Sequence, residues 1–92
     1  MSRPIDYSRL PTHMQDGMRL YIERGIPPGS FHRAVLSNDL MGAFKRADDV
    51  NTAAMVDYAR FLYNEAPGGC FGSPDHVKDW LAQGGLSGCS HD

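Results

Sequence analysis

The residues able to do chemistry in this chain are few, and their spacing decides what they can do. There are four histidines and two cysteines. Nucleophilic catalysis needs a thiol or hydroxyl beside an imidazole that is itself oriented by an acid. Cys70 and the histidines His13, His32 and His76 are the raw material, but no G-x-S-x-G elbow occurs. Cys70, His76, Cys89 and His91 gather in the C-terminal quarter, and zinc takes both residue types. The C-x₂₋₄-C and H-x₃₋₅-H pairs that would bring such ligands to one ion are missing. The expectation is therefore no catalytic residue, no metal, no cofactor and no enzymatic activity. Cys70, next to Phe71, reads as a small buried hydrophobe.

A second chemistry is phosphate binding, suggested by the elbow "GIPPGSFHRAVLSNDL" from Gly25 to Leu40. A Walker loop needs G-x-x-x-x-G-K-[ST] after a strand. Here the glycine spacing is wrong, no lysine follows and no strand precedes. Prolines also lack the N–H groups that such a loop offers. The elbow reads as a rigid corner, with an anion at the next helix start, beside Ser30, His32 and Arg33, as the remaining alternative.

The elements that must position these residues read as helices. A first helix is predicted from Pro11 to Arg24, with Met14, Met18, Tyr21 and Ile22 on one apolar stripe and Gly25 with the prolines as its stop. A short second helix runs from Phe31 to Ser37, capped by Ser30. A third runs from Leu40 to Ala47, capped by Asn38 or Asp39; the two could also form one bent helix. The fourth, from Asn51 to Glu65, is apolar on all but a narrow stripe of Asp57, Arg60 and Asn64, and such a helix is normally enclosed. "GSPDHVKDWLAQGG" carries a cap at Ser73, proline at the first helical position and a glycine stop. The expected fold is all-α, a single domain of about five short helices around the fourth. Residues 1–10 read as an extended arm, 11–85 as the helical domain and 86–92 as a flexible tail.

Composition narrows the partners. At 92 residues, a net charge of −2 and 41% hydrophobic residues, the chain suits one small core. The absence of a basic excess argues against direct nucleic-acid binding. No apolar run approaches the ~18–20 residues of a membrane span. The N-terminal stretch lacks the apolar region of a secretory signal, so a cytoplasmic location and reduced thiols are expected.

The polar groups Asn38, Asp39, Arg46, Asp48 and Asn51 fall at two helix junctions. One reading is capping and surface pairing; the other is a polar rim around a pocket between the third and fourth helices.

The segments "YIERGIPPGSFHRAVLSNDLMGAFKRAD", then Asn51, then "FLYNEAPGGCFGSPDHVKDWL" resemble a family of small accessory proteins encoded by bacteriophages and prophages. The resemblance spans about Leu20 to Leu81 and carries no functional residues with it. It implies a small protein that acts by binding, with host defence proteins or the nucleotide signals of defence systems as the typical targets.

Three functions are set against each other. The first is a phage protein that binds a host protein in the bacterial cytoplasm and inhibits an anti-phage defence, through Asn38, Asp39, Asp48, Asp49 and Asp57. The second is an oligomeric nucleotide sponge, with Arg24, His32 and Arg33 on phosphate and Tyr21 or Phe31 stacked on a base. The third is a DNA-binding regulator whose third helix reads the groove, although Lys45 and Arg46 stand at its end rather than its start. A small core gives reason to pair copies into a homo-oligomer.

Overall fold

Helix boundaries in the computed structural model follow the chemistry of their end residues. It describes residues 5–88. Among these the fold is all-α, without strands: α1 (Thr12–Arg24), α2 (Ser30–Leu36), α3 (Leu40–Arg46), α4 (Asp49–Ala53), α5 (Met55–Asn64) and α6 (Pro74–Gln83), with 3₁₀ turns at Gly68–Cys70 and Gly85–Gly88.

Helix α1 ends where Gly25 turns left-handed at φ 69°. The Gly25 N–H then reaches the Tyr21 carbonyl at 2.9 Å, and the Ile26 N–H reaches that of Leu20 at 3.3 Å. These bonds satisfy carbonyls that the helix itself leaves unpaired. Gly29, not Ser30, occupies the cap position of α2, and Ser30 is its first helical residue. The one-bent-helix alternative for α2 and α3 does not form. Asn38 adopts φ 63° between them, a left-handed conformation that asparagine tolerates better than most residues. Asp39 then caps α3, its Oδ1 accepting from the Gly42 N–H at 3.0 Å.

The helix expected from Asn51 to Glu65 is in fact two. Asp48 Oδ1 accepts from the Asn51 N–H at 2.7 Å and starts α4 two residues earlier. Ala54, at φ −94° and ψ 7°, leaves helical geometry and separates α4 from α5. Its N–H is shared between the Val50 and Asn51 carbonyls, as in a tightened last turn. The C-terminal helix forms as its sequence implies. Ser73 Oγ accepts from the His76 N–H, Pro74 opens α6, and Gly84 ends it at φ 84°.

The core takes Met18, Tyr21 and Ile22 from α1, Phe31, Ala34 and Leu36 from α2, Tyr58, Phe61 and Leu62 from α5, and Val77 and Trp80 from α6. Each large side chain so enclosed contributes roughly 1.5–3 kcal/mol. Leu10 is buried with them, and Ile5 and Tyr7 pack alongside. Tyr7 also donates from its hydroxyl to Glu23 Oε2 at 3.0 Å. Leu86 to Gly88, within the stretch read as a tail, complete a 3₁₀ turn packed on α1. Residues 89–92, with Cys89 and His91, lie outside the described residues. No helix among the described residues is long and apolar enough to cross a membrane.

Candidate interaction surface

Helix α5 has two apolar sides and the core uses one. Tyr58, Phe61 and Leu62 point inward. Val56 and Tyr63 stand 63% and 86% exposed, with exposed Ala59 between them. The spacing i, i+3, i+7 puts these three on one ridge. The sequence reads this helix as enclosed on every apolar side; six helices of 13 residues or fewer leave too little surface to enclose it. Helix α3 behaves alike. Only Ala43 is fully buried, while Leu40, Met41 and Phe44 face outward.

Between α3 and α5 lies a groove of about 310 Å³. Val35, Leu40, Ala43, Phe44, Met55, Val56, Ala59 and Leu62 give it apolar walls, and Asn38 and Asp39 stand at its rim. The pocket anticipated between the third and fourth predicted helices is thus present, with two of its five polar groups at the edge. Isolated apolar side chains on a surface need no explanation; a contiguous set around a groove is an arrangement that contact surfaces share.

Tyr58 lines the same groove and anchors it to a buried polar chain. Its hydroxyl donates to Asn51 Oδ1 at 3.2 Å, and His32 Nε2 lies 3.0 Å from the Tyr58 hydroxyl oxygen. With the phenolic proton committed to Asn51, His32 must donate from Nε2. His32 is 2% exposed. Burial, with a smaller effect of His13, pushes its pKa down to about 4, so the ring is neutral near pH 7. Burial also raises the Tyr58 pKa. The chain ties α2, α4 and α5 together beneath the groove.

The five acidic and polar candidates fall at the starts of three helices. Asn38 and Asp39 are on the groove rim. Asp48 caps α4 and meets His13 Nε2 at 3.3 Å; Asp49 follows in the first turn. The Asn51 N–H, then the His13 side chain, hold the Asp48 carboxyl below its usual range. Asp57 sits in the first turn of α5. The nucleotide candidates separate. Tyr21, Phe31 and His32 are core residues; the Tyr21 hydroxyl donates to the Cys70 carbonyl at 2.7 Å, and no open ring face remains for a base. Arg24 is exposed. Arg33 is exposed on a separate hollow of about 430 Å³ with Ser30, Ser37, Asp39, Arg46 and Pro74. Arg46, at the end of α3 rather than its start, donates to the Gly42 carbonyl of its own helix.

Cys70 is buried and its thiol is pushed up to about 12 by that burial, which leaves little thiolate for nucleophilic chemistry. His76 turns its Nδ1 to the Ser73 hydroxyl at 2.7 Å.

Sequence reasoning missed Leu40, Met41, Phe44, Val56 and Tyr63 as surface residues. The signal was an excess: α5 carries more apolar positions than one buried face can hold. Comparison with known proteins finds no matching family model, no matching curated protein and no matching solved structure.

Proposed function

We propose that this chain is a non-enzymatic binding protein of phage or prophage type, which attaches to a host protein and inhibits it, an anti-phage defence complex being the target class. The observation that carries the binding role is the exposed apolar side of α3 and α5 around its groove. Exposing such a side costs solubility, and contact with protein is the usual reason a small domain keeps one. The acidic helix starts add electrostatic complementarity. Asp39, Asp48, Asp49 and Asp57 suit the basic channel of an effector that handles nucleic acid, with Asn38 beside them, and such charges steer encounter more than they add affinity. The phage target class rests on the resemblance carried by the Leu20–Leu81 segments.

Affinity capture from host lysate tests this. The expected outcome is one specific partner, with capture weakened when Asp48 and Asp49 are both changed to Lys. Capture of nothing above background by the intact chain would count against the reading.

A further inference from the structure

The hollow beside Arg33 gathers hydrogen-bond donors from two helices. Ser30, Arg33 and Ser37 follow at i, i+3 and i+7 along one side of α2, with Ser37 at its C-terminal cap. Arg46 comes from the last turn of α3, which packs on α2. All four line one space of about 430 Å³. We infer that this hollow binds a small organic phosphate that also carries hydroxyl groups, with Arg33, Arg46, Ser30 and Ser37 on the phosphate and Asp39 on a hydroxyl. The site is separate from the apolar side of α3 and α5 and does not depend on the host-protein reading.

Three features favour such a ligand. The first is the donor set. Among the described residues, neither guanidinium lies within ion-pair distance of a carboxylate. Arg46 commits Nη1 to the Gly42 carbonyl at 3.2 Å, and a guanidinium has further N–H groups to offer. The hydroxyls of Ser30 and Ser37 make no hydrogen bond to the described residues. Two forked guanidiniums and two hydroxyls suit a tetrahedral oxyanion; a planar carboxylate would be satisfied by one fork. The second is the acid placed among them. Asp39 and Arg46 both reach over Gly42, where a Cβ would overlap the Asp39 carboxylate and stand 3.0 Å from Arg46 Nη1. The missing side chain lets acid and base approach the same wall of the hollow. Asp39 Oδ1 is held by the Gly42 N–H, which leaves Oδ2 to accept. An ionised carboxylate only accepts, so it weakens a bare phosphate and rewards a ligand whose hydroxyl donates to it. The third is room. The volume is that of a small-molecule site rather than of a lone ion, and Ala34 and Pro74 supply apolar wall for a carbon skeleton.

Titration of the full chain, followed by amide NMR, tests this. Ribose 5-phosphate is expected to give saturable shifts at Ser30, Arg33, Ser37 and Arg46, with a Kd in the millimolar range or tighter. Inorganic phosphate should bind the same residues about tenfold more weakly, and ribose should leave the spectrum unchanged. Arg33→Gln and Arg46→Gln should each weaken ribose 5-phosphate by about tenfold. Arg24→Gln should not, because Arg24 lies off the hollow. Asp39→Asn keeps a capping residue; it should tighten inorganic phosphate and narrow the preference for the sugar ester. Adenosine 5′-monophosphate offers the same phosphate and hydroxyls. Tighter binding than ribose 5-phosphate would identify a nucleotide as the source of that chemistry, weaker binding a simple sugar phosphate. No saturable shift with either ester would overturn the inference, as would shifts that Arg24→Gln weakens as much as Arg33→Gln does. Inorganic phosphate binding as tightly as both esters would remove Asp39 from its role and overturn the ligand class. None of these results bears on capture of a host protein, so the two readings fail separately.

Discussion

The indole Nε1 of Trp80 donates to the carbonyl of Ile22 at 3.1 Å, and to the neighbouring carbonyl of Tyr21 at 3.2 Å. A side chain of α6 thereby serves carbonyls in the last turn of α1, 58 residues away in sequence. The terminal carbonyls of a helix have no partner inside it; that of Tyr21 also accepts from the Gly25 N–H at 2.9 Å, so it is the buried Ile22 carbonyl that relies on the indole. Trp80→Phe keeps much of the ring and removes the donor. The expected loss is about 1–3 kcal/mol, the cost of leaving buried acceptors short of a bond, read from urea unfolding followed by circular dichroism.

Beside this contact, two glycines bring backbone onto backbone. Gly85 has φ 67°, and a Cβ placed there would stand 2.5 Å from the Gly25 nitrogen and 2.7 Å from the Ile22 oxygen. Neither neighbour is a flexible side chain that can move aside. Gly85→Ala should destabilise by more than about 1 kcal/mol, since strain at positive φ adds to the overlap. Gly29→Ala is the control: nothing lies within 4 Å of its Cβ position, and the melting temperature should change little.

Acid should loosen the helices that His32 joins. Its folded pKa, about 4, lies below the unfolded value of about 6.5. The stability this neutral ring contributes is complete above pH 6.5. It is lost as pH falls from there to about 4, because the unfolded chain takes up the proton first. The loss from this group is on the order of 3 kcal/mol. Asp48 adds to the decline at lower pH, its depressed pKa giving the same sign. A pH series of urea midpoints checks the window, and His32→Gln should flatten the upper part of it.

The Tyr58 hydroxyl serves two buried groups at once. Tyr58→Phe would leave His32 Nε2 and Asn51 Oδ1 without their shared partner. Each such group costs about 1–3 kcal/mol, so this variant should unfold at clearly lower denaturant than Tyr63→Phe, whose hydroxyl is on an exposed ring.

The thiol of Cys70 should resist modification while the chain is folded. In a Cys89→Ser background, an aromatic disulfide reagent at pH 8 should label Cys70 only as fast as the fold opens. Buried, and with its pKa raised to about 12, it offers neither access nor thiolate. Rapid labelling without denaturant would contradict the placement of Cys70 in the core.

Local chemistry in the sequence determined the class of fold and most helix ends. Gly25, Ser73, Pro74 and Gly84 act through their own backbone preferences, which operate within a few residues, so α1 and α6 were legible from their wording. The corner at Pro27 and Pro28 was legible for the same reason. What depended on distant neighbours was not. Ala54 is a good helix former, yet the chain leaves helical geometry there, with Asn51 and Tyr58 hydrogen-bonded across the break. Ser30 could cap a helix, but Gly29 holds the position. Tyr21, Phe31 and His32 looked available beside Arg24 and Arg33 because they are adjacent in sequence; packing sends the aromatic rings inward and the guanidiniums outward. Apolar periodicity identified both sides of α5 without ranking them, because a hydrophobic residue looks the same whether it meets the core or a partner. Only the tertiary structure decided that Tyr58, Phe61 and Leu62 are enclosed while Val56 and Tyr63 stay in water. Burial is a property of how much surface the rest of the chain can cover, and a chain this small cannot cover both.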